Sequence, residues 1–555
     1  MSFTYLNELL VKFATLMVVA AAVAGAQAQT FSVVYNFGSV ANDPVNPFAQ
    51  GVIAQGRDGA LYSTTPYGFN NTGYGPMFKI TSSGVLTEPY NFDSTTGPSF
   101  SGLTLATDGN FYGTAGTSAD GTVFQLTPAG ILAPLHTFNG TDGAGPLAPP
   151  IQGTDGNLYG TVTQGGDSSS CGLVYKVTLS GIYTLLYQFD GTHGCAPSAP
   201  LVEGIEGNFY GTTYGGGASN LGVVFKITSA GKLTVLYNFD GTHGCSASNP
   251  LIQATDGNFY GTTMCGGKVD SGVVFKITGG GKLTVLHSLN GTSDGNVPLA
   301  GLVQATDGNF YGTASEGGNS ANCLPDGCGT IFRVTPTGAF HVIYNFDSVT
   351  GLQPQVTLFQ NTNGILYGET AYGGTGGSPL GCAVGNCGVL YSLNIGATAF
   401  VNLISTTAKV GKTVEILGQG LTGTTGVSFD GTAASFKVES DTYIRATVPD
   451  GATTGQVMVT TPGGTLNSSK MFRVAPQIKS FTPPSGPVGT TVTIARVSLT
   501  QTQGVGFGDK VPAHFTVNSD LSVTATVPSG AKTGPIGIRT KGGTAISTSI
   551  FTVTP

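Results

Sequence analysis

The feature that most constrains this chain is a short phrase, DGN-(F/L)-YGT, that returns seven times with small variations. The glycines of its turn are Gly59, Gly109, Gly156, Gly207, Gly257, Gly308 and Gly364, at spacings of 50, 47, 51, 50, 51 and 56 residues. Three residues after each comes a tyrosine: Tyr62, Tyr112, Tyr159, Tyr210, Tyr260, Tyr311 and Tyr367. A period of about 50 residues belongs to repeat architectures, in which one supersecondary unit buries its faces against its neighbours.

One copy, 250–289, shows what the unit is. PLIQA is short and apolar, TDG is a turn, NFYGTT carries aromatics, GVVFKIT and LTVLHSL are β-branched runs, and GG-GK joins the last two. Apolar runs between Gly/Asp/Asn clusters read as strands and hairpins. Four antiparallel strands per unit, repeated radially, predict an all-β seven-bladed β-propeller over residues 29–396. The ends support that count. FSVVYNF at 31–37 matches the fourth strand of a unit, whereas the last unit supplies strands at 356–360, 365–370 and 389–393 and then stops at Asn394. The first strand is expected to complete the last blade, which removes exposed edges.

The phrases GNFYGTT, GVVFKIT and LTVLYNFDGTHG resemble the GloVer-type tandem repeat of bacterial exported proteins. The resemblance covers residues 31–394 and implies a cell-exterior setting, with no defined activity to carry over. Beyond Asn394 the period changes. Residues 399–474 and 477–555 align with each other at an offset of 78 or 79, as in Ala446-Thr447-Val448-Pro449 against Ala525-Thr526-Val527-Pro528. SFTPPSGPVGTTVTI (480–494) resembles the opening of an IPT/TIG domain, which implies two immunoglobulin-like β-sandwiches, 397–475 and 476–555. The second departs from the family at ARVSL (495–499), where a Gly-rich turn is usual.

Residues 1–28 read as a secretory signal peptide. Lys12 precedes an apolar run from Phe13 to Ala24, and Ala26-Gln27-Ala28 supplies small residues before a cleavage point. No second such run exists, so no transmembrane segment is expected in the mature chain. The formal charge is −7, Trp is absent and Lys and Arg form no run, which argues against a nucleic-acid partner. Eight cysteines in an exported chain suit disulfides. In a four-strand blade the loop between strands two and three shares a face with the blade-to-blade connection. Cys171, Cys265, Cys323, Cys328, Cys382 and Cys387 fall in the first kind of loop, Cys195 and Cys245 in the second. The expected pairs are Cys171–Cys195, Cys245–Cys265, Cys323–Cys328 and Cys382–Cys387. No His flanks the close pairs, so no metal is expected, and no cofactor.

Three sets of residues are candidates for chemistry. The turn acids Asp58, Asp108, Asp155, Glu206, Asp256 and Asp307, with Asn363, read as turn closers, since Asp and Asn bond their own backbone. Asp93, Asp190, Asp240 and Asp347 follow the outer strand, too far apart for the carboxylate pair of a glycosidase. His193 and His243 recur with the repeat and read as loop residues. Three residues before each turn acid, the inner strand carries Gln55, Leu105, Gln152, Glu203, Gln253, Gln304 and Gln360. This polar ring reads either as a ligand-contacting channel lining or as amides that satisfy backbone groups between blades. Glu203 is its one acid and the best single candidate for a functional side chain. There is no nucleophile elbow, HExxH or phosphate loop, and no catalytic residue is assigned.

The sequence therefore predicts an exported, non-catalytic binding or cell-surface protein whose partner is an extracellular glycan or protein. The alternative is a carbohydrate-active enzyme, a polysaccharide lyase or glycoside hydrolase, on the same scaffold, an inference that fold alone does not license.

Overall fold

The computed structural model describes residues 29–555 except 41–42, 48–51, 69–73, 117–119, 167–169, 320–322, 324–325, 376–386, 496 and 509–510. The proposed signal peptide and Cys382 lie outside the described residues.

The repeat folds as predicted for its unit: an antiparallel sheet whose strands follow chain order. In the fifth, Ile252–Gln253 pairs with Phe259–Thr263, that with Val273–Ile277, and that with Leu283–Ser288. Seven such propeller-like sheets follow one another between residues 30 and 394 among the described residues. In the seventh, Leu366–Tyr372 pairs with Val389–Asn394, and the outer place is taken by Thr30–Asn36 from the start of the chain. Its register runs from Thr30 opposite Asn394 to Asn36 opposite Val389, with Phe31 stacked on Tyr344 at 3.8 Å.

Each letter of the motif has a physical duty, seen in the fifth copy. Asp256 Oδ1 accepts the Asn258 backbone N–H at 3.0 Å, while Oδ2 accepts the Tyr260 hydroxyl at 2.9 Å. Gly257 sits at φ +81°, a conformation that costs other L-residues about 1 kcal/mol or more. Phe259 receives the Tyr210 ring of the preceding sheet at 3.9 Å, and Tyr260 stacks on Phe310 of the following sheet at 4.0 Å. Gly261 is small because a Cβ there would lie 2.8 Å from the Phe275 ring. Thr262 Oγ1 donates to the carbonyl of Ala300 in the chain entering the next sheet, at 2.8 Å.

These contacts weld the sheets into a ring. Tyr210, Phe259 and Phe275 share one buried cluster between the fourth and fifth sheets. The corresponding cluster between the seventh and the first joins Tyr367 and Leu390 to Leu61, Phe78 and Ile80. The ring therefore closes on itself.

Two smaller units follow, each with two main sheets over its own core; the first adds a short parallel pair, Thr407–Ala408 with Arg473–Val474. In the first, Val414, Ile416, Phe429, Ile444, Val457 and Phe472 are buried together. In the second, Val492, Ile494, Phe507, Ile538 and Phe551 are. Within the departure at 495–499, Ser498 repeats the turn made by Gly420 in the first unit. Gly420 at φ +65° donates its N–H to Asp441 in the first unit, and Ser498 at φ +64° donates to Asp520 in the second. A serine thus stands where the turn asks for glycine.

Two outcomes follow. Tyr260→Ala, which removes a ring bridging two sheets, is expected to destabilise the protein by about 3–5 kcal/mol, and Tyr260→Phe by about 1 kcal/mol, in chemical denaturation. Ser498→Gly is expected to raise stability by about 0.5–1 kcal/mol by relieving the left-handed backbone.

Candidate functional site

The ring has two faces, and the chain treats them differently. One carries the motif turns; the other carries the loops between strands two and three together with the connections from sheet to sheet.

On the turn face the polar ring is a belt of hydrogen bonds between neighbouring sheets. The backbone N–H of Thr107 donates to Gln152 Oε1, that of Ile205 to Gln253, that of Thr255 to Gln304, each at 2.9 Å, and that of Thr306 to Gln360 at 3.0 Å. Each of these four amides also donates to the carbonyl of its own turn glycine, as Gln253 does to Gly257 at 3.1 Å. Gln55 closes the belt on Thr362, donating to its hydroxyl at 2.8 Å. Glu203 takes the same place, accepting the Thr154 N–H at 2.9 Å and its hydroxyl at 2.7 Å. The sequence left two readings open for this ring; the geometry engages these side chains with backbone. The turn acids are engaged too: the hydroxyls of Tyr62, Tyr112, Tyr159 and Tyr311 donate to Asp58, Asp108, Asp155 and Asp307 at 2.7–2.8 Å, and Tyr210 donates to Glu206.

The belt is broken once, where Leu105 stands in the ring. There Arg57 occupies the turn, donates to the Thr107 carbonyl at 3.0 Å and reaches both oxygens of Glu415, in the first C-terminal unit, at 2.6 and 2.7 Å. Its guanidinium lies 4.9 Å from the Tyr443 ring centre. Thr442 Oγ1 donates to the Arg57 carbonyl at 2.7 Å, and Gln419 reaches Asn361 and Thr362 at the turn of the neighbouring seventh sheet. Arg473 donates to the Ile205 carbonyl. The first C-terminal unit thus sits on the turn face, contacting the turns of the first, fourth and seventh sheets. Beneath it Gln152, Thr154 and Glu203 line a cleft of about 160 Å³ with Ile404, Ser405 and Thr406. Burial raises the pKa of Glu203, opposed by its Thr154 bonds and by Arg473.

The other face is held by disulfides. Cys171 joins Cys195, Cys245 joins Cys265 and Cys323 joins Cys328, with Cα separations of 4.4, 5.0 and 5.2 Å. Cys387 is also in a disulfide, while Cys382 is not among the described residues. The first two bonds fasten a strand-two-to-three loop to a connection. Main-chain bridges do the same work beside them, as between Cys195 and Gly215 and between Asn296 and Glu316. Asp270 comes within 4.8 Å of the Cys245 and Cys265 sulfurs, but those sulfurs are bonded to each other and offer no thiolate to a metal.

The outer-strand acids cap this face's loops. Asp93 and Asp347 accept N–H groups of Thr96 and Thr350. Asp190 and Asp240 each accept the backbone N–H of His193 or His243 at 2.8 Å and contact its ring nitrogen at 2.7 Å. Burial works to raise the Asp190 pKa, yet the His193 bonds outweigh it and hold it at about 2. Gly291-Thr292-Ser293-Asp294-Gly295 has the letter spacing of a nucleophile elbow, but it lies in such a loop, where Ser293 Oγ accepts from Asn290.

One residue escaped the sequence reading. Glu369 is 1 % exposed, and neither carboxyl oxygen has a hydrogen-bond partner among the described residues. Its signal was there: the other six copies carry Thr64, Thr114, Thr161, Thr212, Thr262 and Thr313 at this position. Those hydroxyls bond the chain entering the next sheet, as Thr161 does Ala199 at 3.0 Å. Burial alone pushes the Glu369 pKa up to about 8.

A sequence profile described as the Gloeobacter/Verrucomicrobia repeat matches residues 20–170 and 146–380. No curated protein matches the chain. Among solved structures, a fungal alcohol oxidase of the AA5 family in complex with copper aligns at 14 % identity and a TM-score of 0.48, over 95 % of this chain and 100 % of its own. The surface glycan-binding protein PbSGBP-B from Prevotella bryantii aligns at 16 % and 0.22, over 27 % and 41 %. The gluconolactonase XC5397 from Xanthomonas campestris aligns at 11 % and 0.34, over 53 % and 85 %. Likenesses this distant leave both binding and enzymatic readings open.

Glu369 yields a pH-dependent expectation. Its folded pKa lies above the unfolded value, so the fold keeps a proton that the unfolded chain gives up as pH rises through about 4.5. The associated stability is present below that pH and is lost progressively up to about pH 8. Glu369→Gln is therefore expected to exceed the parent in stability by more than about 1 kcal/mol at pH 8 and to match it near pH 4, measured by denaturation across that range.

Proposed function

The chain belongs to the Gloeobacter/Verrucomicrobia repeat family, and on that premise we propose an exported, non-catalytic binding protein. The seven sheets are the blades of a β-propeller, and 397–475 and 476–555 are immunoglobulin-like modules that space or anchor it. The propeller recognises an extracellular glycan or surface protein through the face that bears the cysteines.

The observation that carries this reading is the division of labour between the faces. The turn face is covered in part by the first C-terminal unit, and the polar ring beneath it has its side chains bonded to backbone. The opposite face presents long loops held in place by disulfides. Binding residues collect on loops set over a rigid scaffold. Loops ordered before contact also lose less entropy on binding. Disulfides persist in oxidising compartments, which supports export.

The test is a glycan array and a polysaccharide-turnover screen on the mature chain. A ligand is expected to bind without being consumed. Tyr214→Ala, which removes a half-exposed aromatic from this face, is expected to weaken it about tenfold, or about 1.4 kcal/mol. Glu203→Gln is expected to leave affinity within about twofold, since its place is an amide in five other copies. Turnover of any polymer overturns the non-catalytic reading.

A further inference from the structure

The chain is electrically polarised, and the polarity follows its architecture. Residues 29–396 hold 21 Asp and Glu against 9 Lys and Arg, whereas residues 397–555 hold 12 Lys and Arg against 7 Asp and Glu. Within the ring the charges separate again. The loops of the cysteine-bearing face carry eleven acids among the described residues, including Asp190, Asp240, Asp270 and Asp294, and one lysine, Lys268. Local bonds to these carboxylates do not remove their charge, and the field of a face adds over all of them. Exposed apolar side chains stand among them: Tyr214 is 49 % exposed and Val269 57 %.

The last unit is the counterpart. Residues 476–555 hold six Lys and Arg against two acids. On its outer sheet, Gly534–Thr540 pairs with Gly543–Val553, so that Arg539 lies opposite Thr544, Gly537 opposite Ile546 and Pro535 opposite Ile550. Side chains alternate between the faces of a strand. Ile536 and Ile538 are buried in the core, while Arg539, Ile546 and Ile550 point outward with Lys541 at the turn. Ile546 and Ile550 are each 61 % exposed. Gly537 beside them keeps the surface low. The result is a low apolar strip edged by cations and, among the described residues, without a neighbour sheet.

We propose that this strip docks on the acidic, cysteine-bearing face of a second copy of the chain. Each surface offers what the other lacks: cations around isoleucines on one, carboxylates around Tyr214 and Val269 on the other. The two cannot meet within one molecule. The last unit is joined to the first C-terminal unit, where Gln501 accepts the Thr454 N–H at 2.9 Å, and that unit sits on the opposite side of the ring. The contact is therefore head to tail, a heterologous interface that extends unless the rotation closes it. It deepens the proposed function, because it rests on the cysteine-bearing face being the recognition surface.

The full mature chain tests this by sedimentation velocity. Association that grows with concentration is expected at about 20 mM salt and is expected to weaken at least tenfold at about 0.5 M, where the Debye length falls to about 4 Å. Arg539→Glu with Lys541→Glu, and separately Asp190→Asn with Asp240→Asn, are each expected to abolish self-association. Mixing the first variant with the second is expected to restore a one-to-one complex and no larger species, because each retains the surface the other has lost. That rescue also shows that both variants are folded. A chain that stays monomeric at low salt overturns the proposal, as does self-association of the Arg539/Lys541 variant alone, or a basic strip that binds only anionic polymers. Array binding by a monomeric chain sinks the self-docking and leaves the proposed function standing. Self-docking without any array ligand does the reverse.

Discussion

The ring depends on a tyrosine used twice. In six of the seven copies its hydroxyl donates to the turn acid of its own sheet, and in the seventh Asn363 faces it at 3.2 Å. Its ring, meanwhile, lies against the aromatic or leucine that opens the second strand of the next sheet, as Tyr159 does on Phe209 at 3.9 Å. A side chain that is at once a local brace and an intersheet wedge cannot be satisfied in an isolated unit. Burying an aromatic of this size contributes about 2–3 kcal/mol, and a good stack about 0.5–1.5 more. The burial is repeated at all seven junctions, against an aromatic ring at four and a leucine at three, so the motif is fully used in the closed ring. It also explains why the first strand travels to the last sheet: an open ring would leave Tyr367 without Leu61 and Phe78.

Departures from the repeat carry the particular information. Where the belt amide gives way to Leu105, the neighbouring turn supplies Arg57, and the guanidinium turns outward to Glu415 and Tyr443. The exception in the ring is thus the socket of the next domain. Where the threonine gives way to Glu369, the junction that closes the ring holds a carboxyl that burial keeps largely protonated at neutral pH. Where neighbouring junctions use main-chain bridges alone, two of them add cysteines. In each case a periodic background makes the odd residue visible and its neighbours say what it does.

The two faces of the ring then differ in kind. One has its turns engaged with tyrosines, amides and a docked domain, and its charges nearly balance. The other is a set of clipped, acidic loops with exposed apolar tips. A scaffold of this sort separates the part that holds the ring together from the loops of the opposite face, so changes in those loops need not disturb the tyrosine wedges.

Much of this was legible in the chain itself. The all-β class, four strands to a unit and the pairing of 31–37 with 389–393 follow from periodicity, because every junction in a repeat is made by the same few residues at the same offsets. The turn acids could be assigned to turn chemistry for the same reason. What the sequence could not decide was which reading of the polar ring holds, or where the C-terminal units sit. Gln152 looks the same whether it faces a ligand or the Thr107 amide, and only the relative placement of two sheets brings that N–H to 2.9 Å. Arg57 and Glu415 are 358 residues apart and belong to different periods. Local pattern determines what each unit becomes, since hydrogen bonds and burial within it are short-range. The docking of unlike units rests on a few non-repeating side chains, and their meeting exists only once the whole chain has folded.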